Sequence, residues 1–170
     1  MNYNDLTRSE LLDLVNVLSI DRSFEIMKKE ACIFHYDNIS DGEIVLFIDL
    51  CNVHAANHKY SMAGYDRFVR NVTRTIRESD IIAKFGGDEL VIILRSTADI
   101  KAFVARLITI MAENNIYAVI ACTTSYNGLV ATVEYLDRHV SYHKLVAERT
   151  GSKPDRSKDY ECLASTVVYC

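Results

Sequence analysis

Three carboxylates stand where this chain is equipped for chemistry. Asp49 closes the apolar run Glu43-Ile-Val-Leu-Phe-Ile-Asp49, and Asp88 and Glu89 follow a glycine pair, Gly86-Gly87, set between two further apolar runs. A carboxylate at the end of a buried strand must meet water, a counter-charge or a metal, because leaving it bare in an apolar setting is costly. The glycines let another molecule approach the backbone closely beside Asp88. If the Asp49 strand neighbours the hairpin, the two acidic groups converge at one edge of a sheet. Magnesium takes such hard oxygen ligands from one or two carboxylates and completes its shell with triphosphate oxygens and water. Ions held in this way activate an attacking hydroxyl and stabilise a departing pyrophosphate.

Those carboxylates need a sheet to carry them, and the hydrophobic pattern supplies one. Residues 6–18 put Leu11, Leu12, Val15 and Leu18 at helical spacing, and a second helical stretch is expected from Asp21, with Phe24, Ile26 and Met27 as its apolar residues. The run ending at Asp49 reads as a buried strand. From Ser61 the period returns to that of a helix, with Phe68, Val69, Val72 and Ile76 on one face and Arg67, Arg70, Arg74 and Arg77 on another, read as solvated. Ile81–Phe85 and Leu90–Leu94 read as two strands of a hairpin, whose tight turn calls for the positive φ that glycine adopts freely. Thr97 is expected to cap a helix reaching Asn114, with Ile100, Phe103, Val104, Leu107 and Met111 inward. A strand over 116–125, a helix over 132–150 closed by Gly151 with Pro154 beyond, and an edge strand over 163–169 complete the order. This describes an antiparallel-rich α+β fold, sheet on one side and helices on the other, with two extra N-terminal helices. Residues 1–40 form a helical extension packed on a domain spanning 41–170.

Composition narrows the function classes. With 170 residues there is enough chain for one domain with a sizeable core. Hydrophobic residues at 49%, charged residues at 25% and a net charge of −4 exclude a disordered tail and a protein that wraps duplex nucleic acid by bulk charge. Six glycines and one proline, against roughly 12 and 8 at average usage, imply short loops. No secretory leader and no stretch long enough to span a bilayer are visible, so a cytoplasmic protein with no membrane partner is expected. Cys32, Cys51, Cys122, Cys162 and Cys170 are odd in number and widely spaced, as reduced thiols are. His54/His58 and His139/His143 each stand at i, i+4 but lie outside an H-E-x-x-H setting, so they read as solvated or capping residues and not as zinc ligands. Arg77 and Asp80 read as a helix-end ion pair or turn.

Phe85-Gly86-Gly87-Asp88-Glu89-Leu90 resembles the GGDEF signature of the diguanylate cyclases, which are palm-type nucleotide cyclases. Upstream, Asp49-Leu-Cys-Asn-Val-His-Ala-Ala-Asn57-His58, with Asp66 beyond, is similar to that family's D-x-D-x-F-K-x-x-N-D…G-D pattern. The resemblance is strongest over residues 43–95. It implies a ferredoxin-like palm in which Asp49, the Leu50 carbonyl and Asp88 hold Mg2+ or Mn2+ and Glu89 assists as a further catalytic carboxylate. It also implies that Asn57 and Asp66 meet the base, that Gly86 and Gly87 lie against the nucleotide, and that His54 stands near the phosphates. Arg77-Glu-Ser-Asp80 falls where many members carry an inhibitory R-x-x-D product site.

Departures from the pattern matter as much. Cys51 replaces the second Asp of D-x-D, His54 replaces the Lys, Tyr65 fills a glycine position, and Leu90 replaces the final Phe. The family's A-K-x-x-G-R reads Ala147-Glu148-Arg149-Thr150-Gly151-Ser152, which removes both basic residues expected at the triphosphate and leaves Lys144, Lys153, Arg156 and Lys158 as nearby cations. A related branch, the CRISPR polymerase palm that makes cyclic oligoadenylates, keeps the first Asp and the GGD hairpin. Its stand-alone members, the minimal CRISPR polymerases, are single palms associated with anti-phage signalling, and this chain resembles them most. The expected function is therefore a metal-dependent nucleotidyltransferase that makes a cyclic di- or oligonucleotide from nucleoside triphosphates, ATP first among them. Cyclisation needs two facing nucleotides, so the expected partners are a second copy of the chain, unless an intermediate flips within one site, and a separate effector that responds to the product. The alternatives are a diguanylate cyclase using GTP and a degenerate palm that binds a nucleotide or cyclic dinucleotide as a receptor.

Overall fold

A capping box starts the first helix. The Thr7 N–H and hydroxyl donate to Glu10 Oε2 at 2.8 and 2.7 Å, and the Glu10 N–H donates back to Thr7 Oγ1 at 3.3 Å. From there the computed structural model describes residues 7–21, 26–37, 39–40, 42–51, 63–94, 99–114, 116–149 and 166–169. Helix α1 (Arg8–Ser19) leads into strands β1 (Ile20–Asp21) and β2 (Ile26–Lys28), then helix α2 (Lys29–Tyr36). Strand β3 (Ile44–Cys51), helix α3 (Ala63–Thr75), and strands β4 (Ile81–Lys84) and β5 (Glu89–Leu94) follow. Helix α4 (Ile100–Glu113), strand β6 (Tyr117–Thr124), helix α5 (Gly128–Arg149) and strand β7 (Thr166–Tyr169) complete the order.

The strands form one seven-stranded sheet in the order β1-β2-β4-β5-β3-β6-β7. Strand β3 is central and runs antiparallel to β5 and β6, while β4 and β5 form the hairpin. Both parallel pairings, β2 with β4 and β6 with β7, lie toward the edges. Alternation along β3 explains why its apolar run is unbroken. Ile44, Leu46, Ile48 and Leu50 face α3 and α4 through Phe68, Val72, Phe103 and Leu107. Val45 and Phe47 face α2 and α5 through Cys32, Leu129, Val133, Leu136 and Val140. A strand covered on both faces has no polar side to show. Helices therefore lie on both faces of the sheet, and not on one side only as the order of elements had suggested. Each large side chain buried here contributes about 1.5–3 kcal/mol.

Other local expectations are corrected by their neighbours. The helix expected from Asp21 starts at Lys29, because Met27 and Lys28 pair in parallel with Ala83 and Lys84 of β4 while Ile26 is buried in the core. Ladder pairing with an adjacent strand outweighs a short local helical pattern. Val15 and Leu18, expected on the apolar face of α1, are 51% and 61% exposed. Asp99 caps α4 by accepting from the Ala102 N–H at 3.1 Å, whereas Thr97 lies outside the described residues. Helix α5 starts four residues before the expected Thr132. Asn127 and Gly128 turn the chain with φ of 52° and 85°, and Thr132 donates back to the Gly128 carbonyl at 2.8 Å. The Leu129 N–H meets the Asp37 carbonyl at 3.3 Å, which ties the start of α5 to the end of α2.

Candidate active site

Register decides which carboxylates meet. Asp49 lies directly opposite Glu89 across the β3–β5 ladder, and both occupy positions of the face covered by α2 and α5. Directly opposed residues of neighbouring strands have Cβ atoms about 4.5–5.5 Å apart, so two like charges there repel. The Leu50 N–H donates to the Asp88 carbonyl at 2.9 Å, which fastens the hairpin loop to β3. The Phe85 and Gly86 N–H groups both donate to the Glu89 carbonyl, at 2.9 and 3.3 Å, and close the loop. Strand β3 runs two residues beyond Asp49, so that carboxylate is flanked by strand and not placed at its tip.

The two glycines of the loop are used differently from the expectation. Neither has a left-handed φ; among the described glycines Gly42 and Gly128 do. A β-carbon at Gly86 would lie 2.5 Å from Glu89 Oε2, so this glycine makes room for the carboxylate. At Gly87 a β-carbon would meet nothing within 4 Å, which leaves open space beside the exposed Asp88.

Burial and neighbouring charge perturb the site. Asp49 is only 9% exposed; its Oδ2 accepts from Lys144 Nζ of α5, and its Oδ1 is buried without a hydrogen-bond partner. Burial holds the Asp49 carboxyl above the usual carboxylate range, Lys144 pulls it down, and Asp88 and Asp137 push it up. Glu89 is raised by burial first, then by the charges of Asp49, Asp137 and Asp88, against the pull of Lys29. The Lys29 ammonium itself stands 5.7 Å from the centre of the Phe85 ring. Two such perturbed carboxylates opposite one another, with a third beside them, are suited to holding a cation or a proton.

Sequence reasoning named Asp49, Asp88, Glu89, Gly86 and Gly87, and the β3–β5 register brings them together. Leu50 contributes backbone, since its side chain is buried on the opposite face. Asp66 lies in the first turn of α3, on that opposite face, and makes no hydrogen bond or ion pair with the acidic group among the described residues. His54 and Asn57 lie outside the described residues, as do Lys153, Arg156 and Lys158. Sequence reasoning missed Lys29 and Asp137. Asp137 and Lys144, seven residues apart, share a face of α5, and that spacing was the available signal. His139 packs edge-on against Tyr135 at 4.6 Å and His143 against Tyr142 at 6.2 Å. Arg77 and Asp80 form a turn, with the Asp80 N–H donating to the Arg77 carbonyl at 2.9 Å.

A family model described as "Diguanylate cyclase, GGDEF domain" matches residues 35–146, about two thirds of the chain, including Asp49, the Gly86–Glu89 hairpin and Lys144 but not Lys29. The chain belongs to the GGDEF domain family. Solved GGDEF domains share its fold at low identity. A microbial GGDEF domain studied for its interaction with cyclic di-GMP superposes with a TM-score of 0.62 at 15% identity, over 93% of this chain and 100% of that one. The diguanylate cyclase SiaD of Pseudomonas aeruginosa, in complex with its activator SiaC, gives 0.62 at 15% identity over 99% of this chain and 68% of that one. Vibrio cholerae LapD, an S helix-GGDEF-EAL protein bound to cyclic di-GMP, gives 0.65 at 14% over 95% of this chain and 39% of that one. No curated protein matches significantly. The α+β architecture is thus the ferredoxin-like palm of GGDEF domains.

The donor set of this GGDEF domain fits a divalent cation. Among the described residues no three His, Cys, Asp or Glu side chains form a ready-made metal cluster. Magnesium does not require one, since it is bound through one or two carboxylates with phosphate oxygens and water supplying the rest. The unpartnered Asp49 Oδ1, beside Asp88 and Glu89, is an unused acceptor of the kind such an ion would take.

Proposed function

We propose that this GGDEF domain is a metal-dependent nucleotide cyclase, with GTP as substrate and cyclic di-GMP as product. The observation that carries the reading is the register of Asp49 against Glu89, with the buried, unpartnered Asp49 Oδ1 beside the hairpin. In this reading Asp49, the Leu50 carbonyl and Asp88 hold Mg2+ or Mn2+, which when bound supplies Lewis-acid stabilisation of the reacting phosphate and of the leaving pyrophosphate. Glu89, its carboxyl raised by burial and by the neighbouring carboxylates, orients the attacking 3′-hydroxyl and takes its proton. A new oxygen–phosphorus bond forms at the α-phosphate and the α–β phosphoanhydride bond breaks. The open space at Gly87 admits the nucleotide, and the family pattern assigns Asn57 and Asp66 to its base and His54 to its phosphates. Two nucleotides must face each other, so a homodimer is the working form, and a separate effector reads the product. Residues 1–40 serve as an N-terminal extension of the 41–170 cyclase domain, joined to it by the pairing of β2 with β4 and by the Leu129 to Asp37 bond. The reaction belongs in the cytoplasm, where nucleoside triphosphates are held.

One observation favours a second reading. In sequence, Glu148 and Ser152 stand where the family's triphosphate-binding Lys and Arg would be, and an acidic residue at that position would repel phosphates. An ATP-using palm of the minimal CRISPR polymerase kind, acting in anti-phage signalling, is built on the same carboxylates without that guanylate pattern. Incubation of the protein with Mn2+ and each nucleoside triphosphate, alone and mixed, followed by mass spectrometry, decides between them. A cyclic dinucleotide from GTP supports the first reading, and a cyclic product from ATP alone moves the assignment to the second. Tight nucleotide binding without turnover leaves a receptor.

A further inference from the structure

Asp49 has two oxygens in two different situations. Oδ2 is taken by the Lys144 ammonium, while Oδ1 is buried and unpartnered. Lys144 reaches in from α5, across 95 residues of sequence, and its side chain remains 33% exposed. The charges around the pair are mostly negative, with Asp88 on the hairpin and Asp137 about two turns earlier on the same helix. An ammonium in that position does the electrostatic work that a divalent cation would do. A cation and an ammonium on one carboxylate repel each other, so the two compete. The partial exposure of Lys144 gives its side chain water to retreat into, and a flexible four-carbon stem allows the movement.

We propose that Lys144 is an exchangeable internal counter-ion: it neutralises Asp49 in the metal-free protein and must leave for a divalent cation to bind. The inference rests on the proposed reading of Asp49 as a metal ligand, and it makes Lys144 a positioning residue that sets the cation concentration at which the site loads. If the pair is closed nine-tenths of the time, it weakens apparent cation affinity by about tenfold.

The test is titration of the nucleotide-free full chain with Mn2+ alone, read by calorimetry, for the wild type, Lys144→Met and Asp49→Asn. Lys144→Met is expected to bind Mn2+ about tenfold more tightly than the wild type, and Asp49→Asn not to bind it. Damage to the fold would move affinity the other way. Equal or weaker binding by a folded Lys144→Met, beside a wild type that binds, overturns the inference and leaves Asp49 as a metal ligand. No binding by either overturns the inference, since the nucleotide-free site then takes no cation for Lys144 to yield to, while the metal reading is judged separately by turnover of Asp49→Asn in saturating Mn2+. Should Lys144→Met fail to fold, the wild type still answers. The nitrogen resonance of the salt-bridged Lys144 ammonium is expected to shift to that of a free lysine as Mg2+ is added, and a resonance that stays put at saturation refutes the exchange.

Discussion

Glu89 folds its carboxylate back over Gly86, so that a β-carbon at Gly86 would lie 2.5 Å from Oε2 and 2.9 Å from Cδ. The obstacle is the end of a flexible side chain and not backbone, so Gly86→Ala should fold with a melting temperature within a few degrees of the wild type. The Glu89 carboxylate, however, must turn away from its position opposite Asp49. Product formation is expected to fall by about a hundredfold, the usual consequence of misplacing a reacting group by an ångström. Retained activity would show that the position of Glu89 over Gly86 is irrelevant to turnover.

Asp49 and Glu89 should make the metal-free protein less stable as pH rises. Both carboxyls are raised in the fold from ordinary values of 3.8 and 4.5. Between the ordinary and the raised value the native state binds more protons than the unfolded one. These two groups therefore lower stability as pH increases through that interval, and the loss persists above it. Urea midpoints across a pH series are expected to show this fall, with Glu89→Gln flattening it. Saturating Mn2+ should offset the loss above the interval, by about 2.7 kcal/mol at a hundred times its dissociation constant.

Gly128 is a different kind of glycine. Its φ of +85° is left-handed, and a β-carbon there would sit 2.6 Å from the Asp37 carbonyl oxygen, which is backbone and cannot give way. Gly128→Ala is expected to destabilise the fold by about 1–3 kcal/mol from the backbone conformation alone, and by more from the clash. Because the same turn sets α5, Lys144 and Asp137 shift with it. Thermal denaturation checks the first effect, and an unchanged midpoint would show that the α2–α5 junction contributes little.

Cys32 lies fully buried between α2 and the sheet, and burial pushes its thiol up to about 12. Almost no thiolate exists near neutral pH, so Cys32 should resist thiol reagents in the folded protein and react once it unfolds. Mass mapping after brief alkylation reads this directly. Rapid labelling of Cys32 would mean that α2 does not stay closed over the sheet.

Some of this was legible in the sequence and some was not, for identifiable reasons. The β3 strand and the Asp88-Glu89 hairpin declare themselves locally, because an apolar run ending in a carboxylate and a Gly-Gly between β-rich runs each have one natural reading. The α4 core residues Phe103, Val104, Leu107 and Met111 follow from helical spacing, and all four are buried. Strand β2 was not legible, since three residues become a strand only because β4 lies alongside. The start of α5 was hidden because Asn127 and Gly128 fix it through dihedral angles that composition does not display. Lys144 could be named as a nearby cation, but its pairing with Asp49 joins residues far apart in sequence and depends on how α5 crosses the sheet. Lys29 and Asp137 were missed for the same reason: their influence on Glu89 is electrostatic and arises only in the assembled fold.

The central claim, that Asp49 opposite Glu89 forms the metal-dependent centre of a nucleotide cyclase, is tested most directly by pyrophosphate release. The measurement compares wild type and Asp49→Asn, each shown to be folded, with GTP and with ATP in saturating Mn2+. We expect release by the wild type with one of the two nucleotides, and a fall of at least about a hundredfold in Asp49→Asn, the scale of losing one electrostatic stabiliser in a closed site. Equal release by the two proteins, or none from the wild type with either nucleotide, would contradict the account.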